Sequence, residues 1–205
     1  MGLFVTFEGG EGCGKSYQSK LLQRKLSECG INSILTFEPG GTILGNKIRH
    51  LLKHCRGEIM SPEAELLLIM ASRSLLISEV ISPCLLTHRI VICDRFTDST
   101  LAYQGYGRGI KLETISMLNS VVTRNIDPDL TILLDIPVED GLKRKRTRNN
   151  DRFEKAGLPF HNKVRQGYLE MAYREPSRWI IIDAMLPRFR ISNIIWDKVC
   201  QLLAL

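Results

Sequence analysis

The chain has 205 residues, 44% of them hydrophobic and 24% charged, with a formal net charge of +6. That length suits one domain with a sizeable core, and the balance is that of an ordinary soluble globular protein. No apolar run is long enough to cross a bilayer, and no basic stretch leads into a cleavable apolar segment, so neither a membrane span nor a signal peptide is expected.

The opening Met1 to Thr6 fits a myristoylation pattern, but it also opens the first core strand, Leu3 to Phe7. Gly9-Gly10-Glu11-Gly12-Cys13-Gly14-Lys15-Ser16 follows at once and matches the phosphate-binding pattern G-x-x-x-x-G-K-[ST]. The glycines let the backbone turn its N–H groups toward phosphate oxygens. Lys15 adds a point charge for the outer phosphates, and the Ser16 hydroxyl is a ligand for Mg²⁺. A helix is expected from Gln18 to Cys29, stopped by Gly30. Strand, loop and helix in that order separate a working phosphate loop from a chance match.

A second strand, Asn32 to Thr36, runs into the turn-rich Glu38-Pro39-Gly40-Gly41-Thr42, which belongs at the carboxyl edge of a sheet, where ligands bind. A helix from Leu44 to Leu52 follows. Ser61-Pro62-Glu63 is a strong helix start, and that helix should reach about Leu86. Its stretch Leu66 to Met70 is apolar nearly all round, which predicts burial, part of it against a second subunit. Arg73, just beyond, reads on its own residues as an ion-pair partner.

Ile90 to Cys93 is the third strand and ends in Asp94-Arg95-Phe96, charges aimed into the crevice. Ser99, Thr100, Tyr103 and Gln104 come next, then Gly105 to Gly109, which reads as a flexible basic corner. A helix from Leu112 to Arg124, a strand from Leu130 to Asp135 and a helix from Pro137 to Arg148 follow. Lys143, Arg144, Lys145, Arg146, Arg148 and Arg152 lie within ten residues, broken by Asn149-Asn150-Asp151. A basic segment between helices, here about residues 143–158, is what a mobile lid over phosphates needs. No aromatics interleave with it, which argues against single-strand nucleic acid. A helix carrying Phe160, Val164, Tyr168 and Met171, a strand from Trp179 to Ile182 and a helix from Ile191 to Leu203 close the chain. Strand and helix alternate throughout, so the expected fold is α/β: a five-stranded parallel sheet flanked by helices on both faces. The six cysteines, Cys13, Cys29, Cys55, Cys84, Cys93 and Cys200, form no C-x-x-C pair and read as reduced thiols of a cytoplasmic protein.

Phosphate loop, Asp94-Arg95 and basic lid together point to a small nucleotide kinase. The wider set, Glu38 to Thr42, Asp94 to Phe96, Ser99 to Gly105, Gly107 to Gly109, Asp127 to Leu130 and Arg152 to Glu154, resembles the thymidylate kinase family over nearly the whole chain, in order and spacing. The resemblance implies a nucleoside monophosphate kinase fold in one domain, transfer of the γ-phosphoryl of ATP to dTMP with Mg²⁺, and a homodimer. It assigns ATP to the loop from Gly9 to Ser16, with Lys15 catalytic. It sets Glu11 against the sugar of dTMP. Arg95 would grip the acceptor phosphate with Arg49 and Asp94, beside Glu38 and Pro39. Arg73, Thr100 and Ile69 would face the base, Tyr103 would select deoxyribose, and Ser99 and Gln104 would lie against the nucleotide. Gly12 stands where some members carry an arginine, so the catalytic arginine is expected in the lid, at Arg148 or Arg152. Two departures stand out: Ile69 replaces a common stacking Phe, and Phe37 a common Arg. Another nucleoside monophosphate or deoxynucleoside kinase, a non-catalytic nucleotide switch and a nucleic-acid-binding protein remain as alternatives.

Overall fold

The computed structural model describes residues 2–54, 60–87, 89–144, 152–153 and 156–204. Five parallel strands form one sheet in the order β2-β3-β1-β4-β5: β1 Phe4–Glu8, β2 Ser33–Phe37, β3 Ile90–Asp94, β4 Leu130–Asp135 and β5 Trp179–Asp183. β1 lies at the centre, with Val5 opposite both Ile92 of β3 and Leu130 of β4. Every residue of β1 is buried, as are all of β3 and β4 except their terminal aspartates. Both faces of a parallel sheet are covered, so its inner strands read as continuous apolar runs instead of alternating.

Helices α1 Lys15–Glu28 and α9 Arg188–Leu203 cover one face, packing Leu22, Leu26, Ile191 and Ile195 on Val5, Phe7, Ile92 and Ile132. On the other face, α3 Pro62–Leu76 sets Leu76 against Phe4, Val91 and Phe96, and α8 Gly157–Arg174 sets Tyr168 and Met171 against Leu133 and Trp179. α2 Ile43–His54 and α6 Leu112–Thr123 flank α3, and α7 Val138–Arg144 follows β4. The Ser61 hydroxyl caps α3 by accepting from the Ala64 N–H at 3.2 Å, as the Ser-Pro-Glu start predicts. From α3 the chain passes through a π turn, Ile77–Ile81, into α4 Ser82–Leu86, which ends at the residue expected for this helix.

Within a single chain the apolar stretch of α3 is partly buried: Leu66, Ile69 and Met70 are inside, and Leu67 is 60% exposed. One expectation changes. The segment read as a flexible corner, Gly105 to Gly109, is helical in its first three residues: α5 Thr97–Thr100 continues as a π-helical stretch, Leu101–Gly107, and the turn begins only at Arg108. Its glycines serve close packing. A Cβ on Gly107 would stand 2.5 Å from the ring of Phe160 in α8, so only glycine lets the two helices meet there. Of the basic segment, Arg144, Arg152 and Phe153 are among the described residues.

Candidate active site

The loop Gly9–Gly14, the turn after β2, the β3–α5 junction and α3 all meet at the carboxyl edge of the sheet, around a cleft of about 980 Å³. One end is bounded by the loop from Glu11 to Ser16 and by Arg188, the other by Ile69, Arg73, Thr100 and Gln104. The predicted residues Glu38, Pro39, Arg49, Asp94, Arg95, Ser99 and Tyr103 line it between. Gly9 and Gly10 form the loop behind the lining, Arg152 sits outside it, and Arg148 lies outside the described residues.

At the loop end, the Lys15 ammonium donates to the carbonyls of Gly9 at 3.0 Å and Gly10 at 2.7 Å and is buried. Gly12 has φ +70°, and its Cα faces Gly141 of α7 so closely that a Cβ would lie 1.9 Å from the Gly141 carbonyl oxygen. The left-handed backbone and the missing space each demand glycine. Ser16 donates its hydroxyl to Asp94 Oδ2. A hydroxyl and a carboxylate oxygen side by side at a phosphate loop are a hard-oxygen set suited to Mg²⁺. That ion commonly takes one or two protein oxygens and fills the rest of its shell with water and phosphate.

Arg95 holds the middle of the cleft. Its φ of +71° is a left-handed conformation that a bulky residue adopts at a cost of about 1–3 kcal/mol. The turn aims the guanidinium back across the sheet edge. Nη1 donates to the Gly9 carbonyl at 3.1 Å, the Tyr168 hydroxyl at 3.2 Å and Ser99 at 3.3 Å. Nη2 donates to Glu11 at 2.7 Å and to the Tyr103 hydroxyl at 3.1 Å. The Tyr103 hydroxyl in turn donates to Glu11 at 2.8 Å. Burial pushes the Tyr103 and Tyr168 hydroxyls well up, so both stay neutral, accepting from the Arg95 cation while donating to Glu11 and Glu8.

Beneath Arg95 lies Glu8, the last residue of β1. Its carboxylate accepts from the Phe96 N–H at 2.7 Å, from Ser99 at 2.6 Å and from Tyr168 at 3.0 Å. Complete burial and the neighbouring Asp98 carboxylate push Glu8 up to about 7, against the pull of Ser99, Arg95 and the Phe96 N–H. Two bonds to the chain just past the strained residue, and a third to Tyr168 of α8, make Glu8 the brace of that turn. The sequence reading missed Glu8 and Tyr168. The position of Glu8, directly before the loop at the end of a buried strand, was the available signal.

At the far end Arg73 is buried. Its Nε donates to Glu38 Oε2 at 2.8 Å and its Nη2 to the same carboxylate. Nη2 also donates to the Thr100 hydroxyl at 2.8 Å and the Phe96 carbonyl at 3.1 Å, and Nη1 donates to Asn119 at 2.6 Å. The ion-pair reading of Arg73 and its presence in the cleft wall therefore hold together. Burial pushes the Glu38 carboxyl up, and the Arg73 guanidinium pulls it part of the way back. Arg49 donates to the Pro39 carbonyl at 2.8 Å and lies 5.0 Å over the ring of Phe37. The phenylalanine that replaces a basic residue thus supports a neighbouring one. Arg152 donates to Glu65 of α3 instead of toward the phosphate loop. Arg144, unassigned from sequence, lines the cleft and donates to the Ala184 carbonyl at 2.9 Å.

This arrangement can hold two anionic groups end to end, with cations at the loop, at Arg95 and at the rim. Among the described residues no cluster of three His, Cys, Asp or Glu side chains could hold a metal on its own, and no helix is long and apolar enough to cross a membrane. Comparison with known proteins agrees with this geometry. A family model described as thymidylate kinase matches residues 7–195. The chain is 52% identical over 205 residues to a protein named thymidylate kinase from Dehalococcoides mccartyi, covering 100% of this chain and 99% of that protein. It is 46% identical over 209 residues to one of the same name from Trichlorobacter lovleyi, covering 98% and 99%. The crystal structure of thymidylate kinase from Ehrlichia chaffeensis superposes with a TM-score of 0.79 at 36% identity, covering 97% of this chain and 98% of that one. The five-stranded parallel sheet is thus that of a phosphate-loop kinase, and with matches across nearly its whole length the chain belongs to the thymidylate kinase family of enzymes.

Proposed function

We propose that the whole chain works as one kinase domain that moves the γ-phosphoryl of ATP onto the 5′-phosphate of dTMP, giving dTDP, as a homodimer in the cytoplasm. The observation that carries the reading is Arg95: a strained, half-buried arginine braced between the phosphate loop and the Arg73–Thr100 end of one cleft.

In this reading the loop from Gly9 to Ser16 takes the phosphates of ATP, and Lys15 leaves the Gly9 and Gly10 carbonyls to meet them. Ser16 and Asp94 would hold Mg²⁺, which screens phosphate charge when bound. Arg95 exchanges its bond to Glu11 for the acceptor phosphate. Its planar fork suits two phosphate oxygens at once. Glu11 and Tyr103 then face the sugar, and the Tyr103 ring leaves little room for a 2′-hydroxyl. Arg73, held rigid by Glu38 and Asn119, shares the base end with Thr100, Gln104 and Ile69, while Arg49, Pro39 and Ser99 complete the walls. A phosphate monoester has its second pKa near about 6, so the acceptor is already an anion at neutral pH and no general base is required. The transition state spreads charge over the transferring oxygens, and positioned cations lower its energy. Arg148 supplies the catalytic charge from the basic segment.

A coupled ADP-release assay with ATP and Mg²⁺ over dTMP, dUMP, dCMP, dGMP and UMP tests the reading. Strong preference for dTMP is expected. Activity on another monophosphate alone would move the substrate, and ATP binding without transfer to any acceptor would overturn the reading. The exposed apolar residues Leu67 of α3 and Met117 and Val121 of α6 support the homodimer.

A further inference from the structure

Ile69, an aliphatic residue, lines the end of the cleft that the dTMP reading gives to the base, yet the cavity is not without an aromatic wall. Phe153 lines the same cleft as Ile69, Arg73, Thr100 and Gln104. Its ring packs on the cluster of Ile48, Leu52 and Ile69 and stands edge-on to Tyr103, with centroids 6.0 Å apart and planes at 78°. Phe153 follows Asn149-Asn150-Asp151 in sequence and belongs to no helix or strand, so something must hold it.

The adjacent Arg152 does so. Its Nη2 donates to Glu65 of α3, its Nε donates to the Leu52 carbonyl at 3.4 Å, and its guanidinium lies 5.2 Å over the Phe153 ring. Glu65 is itself buried and gathers two further donors, Gln104 Nε2 at 2.6 Å and Arg108 Nη2 at 3.3 Å. A buried carboxylate with three charged or polar partners is expensive to disturb, because each partner's loss leaves part of its hydrogen-bonding capacity unmet away from water. The residue beside that anchor is therefore set in place.

We propose that Phe153 is a base-contacting specificity residue of this enzyme: it supplies the aromatic face that Ile69 lacks, and Glu65 is the positioning residue that seats it through Arg152. The inference rests on the dTMP reading of the cleft. It makes Arg152 an anchor and leaves the catalytic charge to Arg148.

The test measures dTMP binding by calorimetry and steady-state kinetics for both substrates. Phe153→Ala is expected to weaken dTMP about tenfold, the loss of one base–aromatic contact. It should leave the KM for ATP within about twofold, because the lost contact lies at the acceptor end. Phe153→Tyr should restore most of the affinity. Glu65→Gln should weaken dTMP at least as much as Phe153→Ala, because Gln104 loses its carboxylate partner too. Arg152→Met should match Phe153→Ala, and the double variant Arg152→Met/Phe153→Ala should bind no more weakly than Phe153→Ala alone. If Glu65→Gln does not melt cooperatively, Arg152→Met breaks the same pair from its more exposed side. The proposal is overturned if Phe153→Ala binds dTMP like the wild type, or loses ATP and dTMP affinity equally. Wild type that takes a different monophosphate would instead refute the dTMP reading, and the same comparison would then be made with that ligand.

Discussion

Gly12 and Gly141 touch backbone to backbone: a Cβ on either would fall within 2.3 Å of the other segment, 1.9 Å from Gly141 O in one case and 2.3 Å from Glu11 O in the other. The phosphate loop is therefore clamped against α7, the helix that leads into the basic segment. Gly12→Ala combines left-handed strain of about 1–2 kcal/mol with overpacking of about 1–3 kcal/mol. We expect a lower melting temperature and a raised KM for ATP, read by calorimetry and kinetics. Gly12→Arg is expected to inherit both defects, so it cannot restore activity to a variant lacking Arg148. Wild-type melting of Gly12→Ala would refute the clamp.

Arg95 donates to five groups, and a lysine has neither its reach in two directions nor its planar fork. Arg95→Lys should lower kcat/KM for dTMP by about a hundredfold or more while binding ATP normally. An equal loss of ATP affinity would mean that the residue supports the loop and not the acceptor phosphate.

Glu8 carries a pH signature. Its folded-state value, about 7, lies above its ordinary 4.5, because burial and Asp98 disfavour the charged form. The folded protein thus binds more protons than the unfolded chain between those values. Its contribution to stability is fully present below about pH 4.5 and is lost as pH rises through about 7. Across that window the effect is roughly 3 kcal/mol. Glu8→Gln should be correspondingly flatter than wild type in urea denaturation at pH 5 and pH 8. Some slope should persist, since burial also raises Glu38. Identical slopes for variant and wild type would refute this account of Glu8.

Leu67, Met117 and Val121 are 60%, 61% and 70% exposed on the paired helices α3 and α6. Burial of such side chains stabilises by about 1.5–3 kcal/mol each. Leu67→Glu should therefore turn a dimer into monomers in sedimentation velocity at micromolar concentration, with the monomer still folded. A wild type that already sediments as a monomer would remove the dimer.

Local chemistry made the architecture legible from the sequence. Buried parallel strands read as apolar runs, Ser61-Pro62 announces α3, and the loop from Gly9 to Ser16 binds through backbone geometry that its own glycines determine. Glu38, Asp94 and Arg95 were legible for the same reason, as charges and turns at the ends of apolar strands, whereas the roles of Arg49, Ile69, Arg73, Thr100, Tyr103 and Gln104, which sit on helices, came only from the family resemblance. The packing partners were not. Whether Gly107 bends the chain or admits a neighbouring helix depends on α8, about fifty residues away. The environment of Glu8 is made by Asp98, Ser99 and Tyr168, brought together from two helices. The partner of Arg152 is a carboxylate 87 residues earlier. The sequence alone determined which elements form and which edge carries the phosphate chemistry, because those follow from periodicity and backbone preference. Only the tertiary structure decided which charges pair, which pKa values move and which aromatic ring lines the cleft beside Ile69, because burial and Coulomb interaction depend on distance through space and not along the chain.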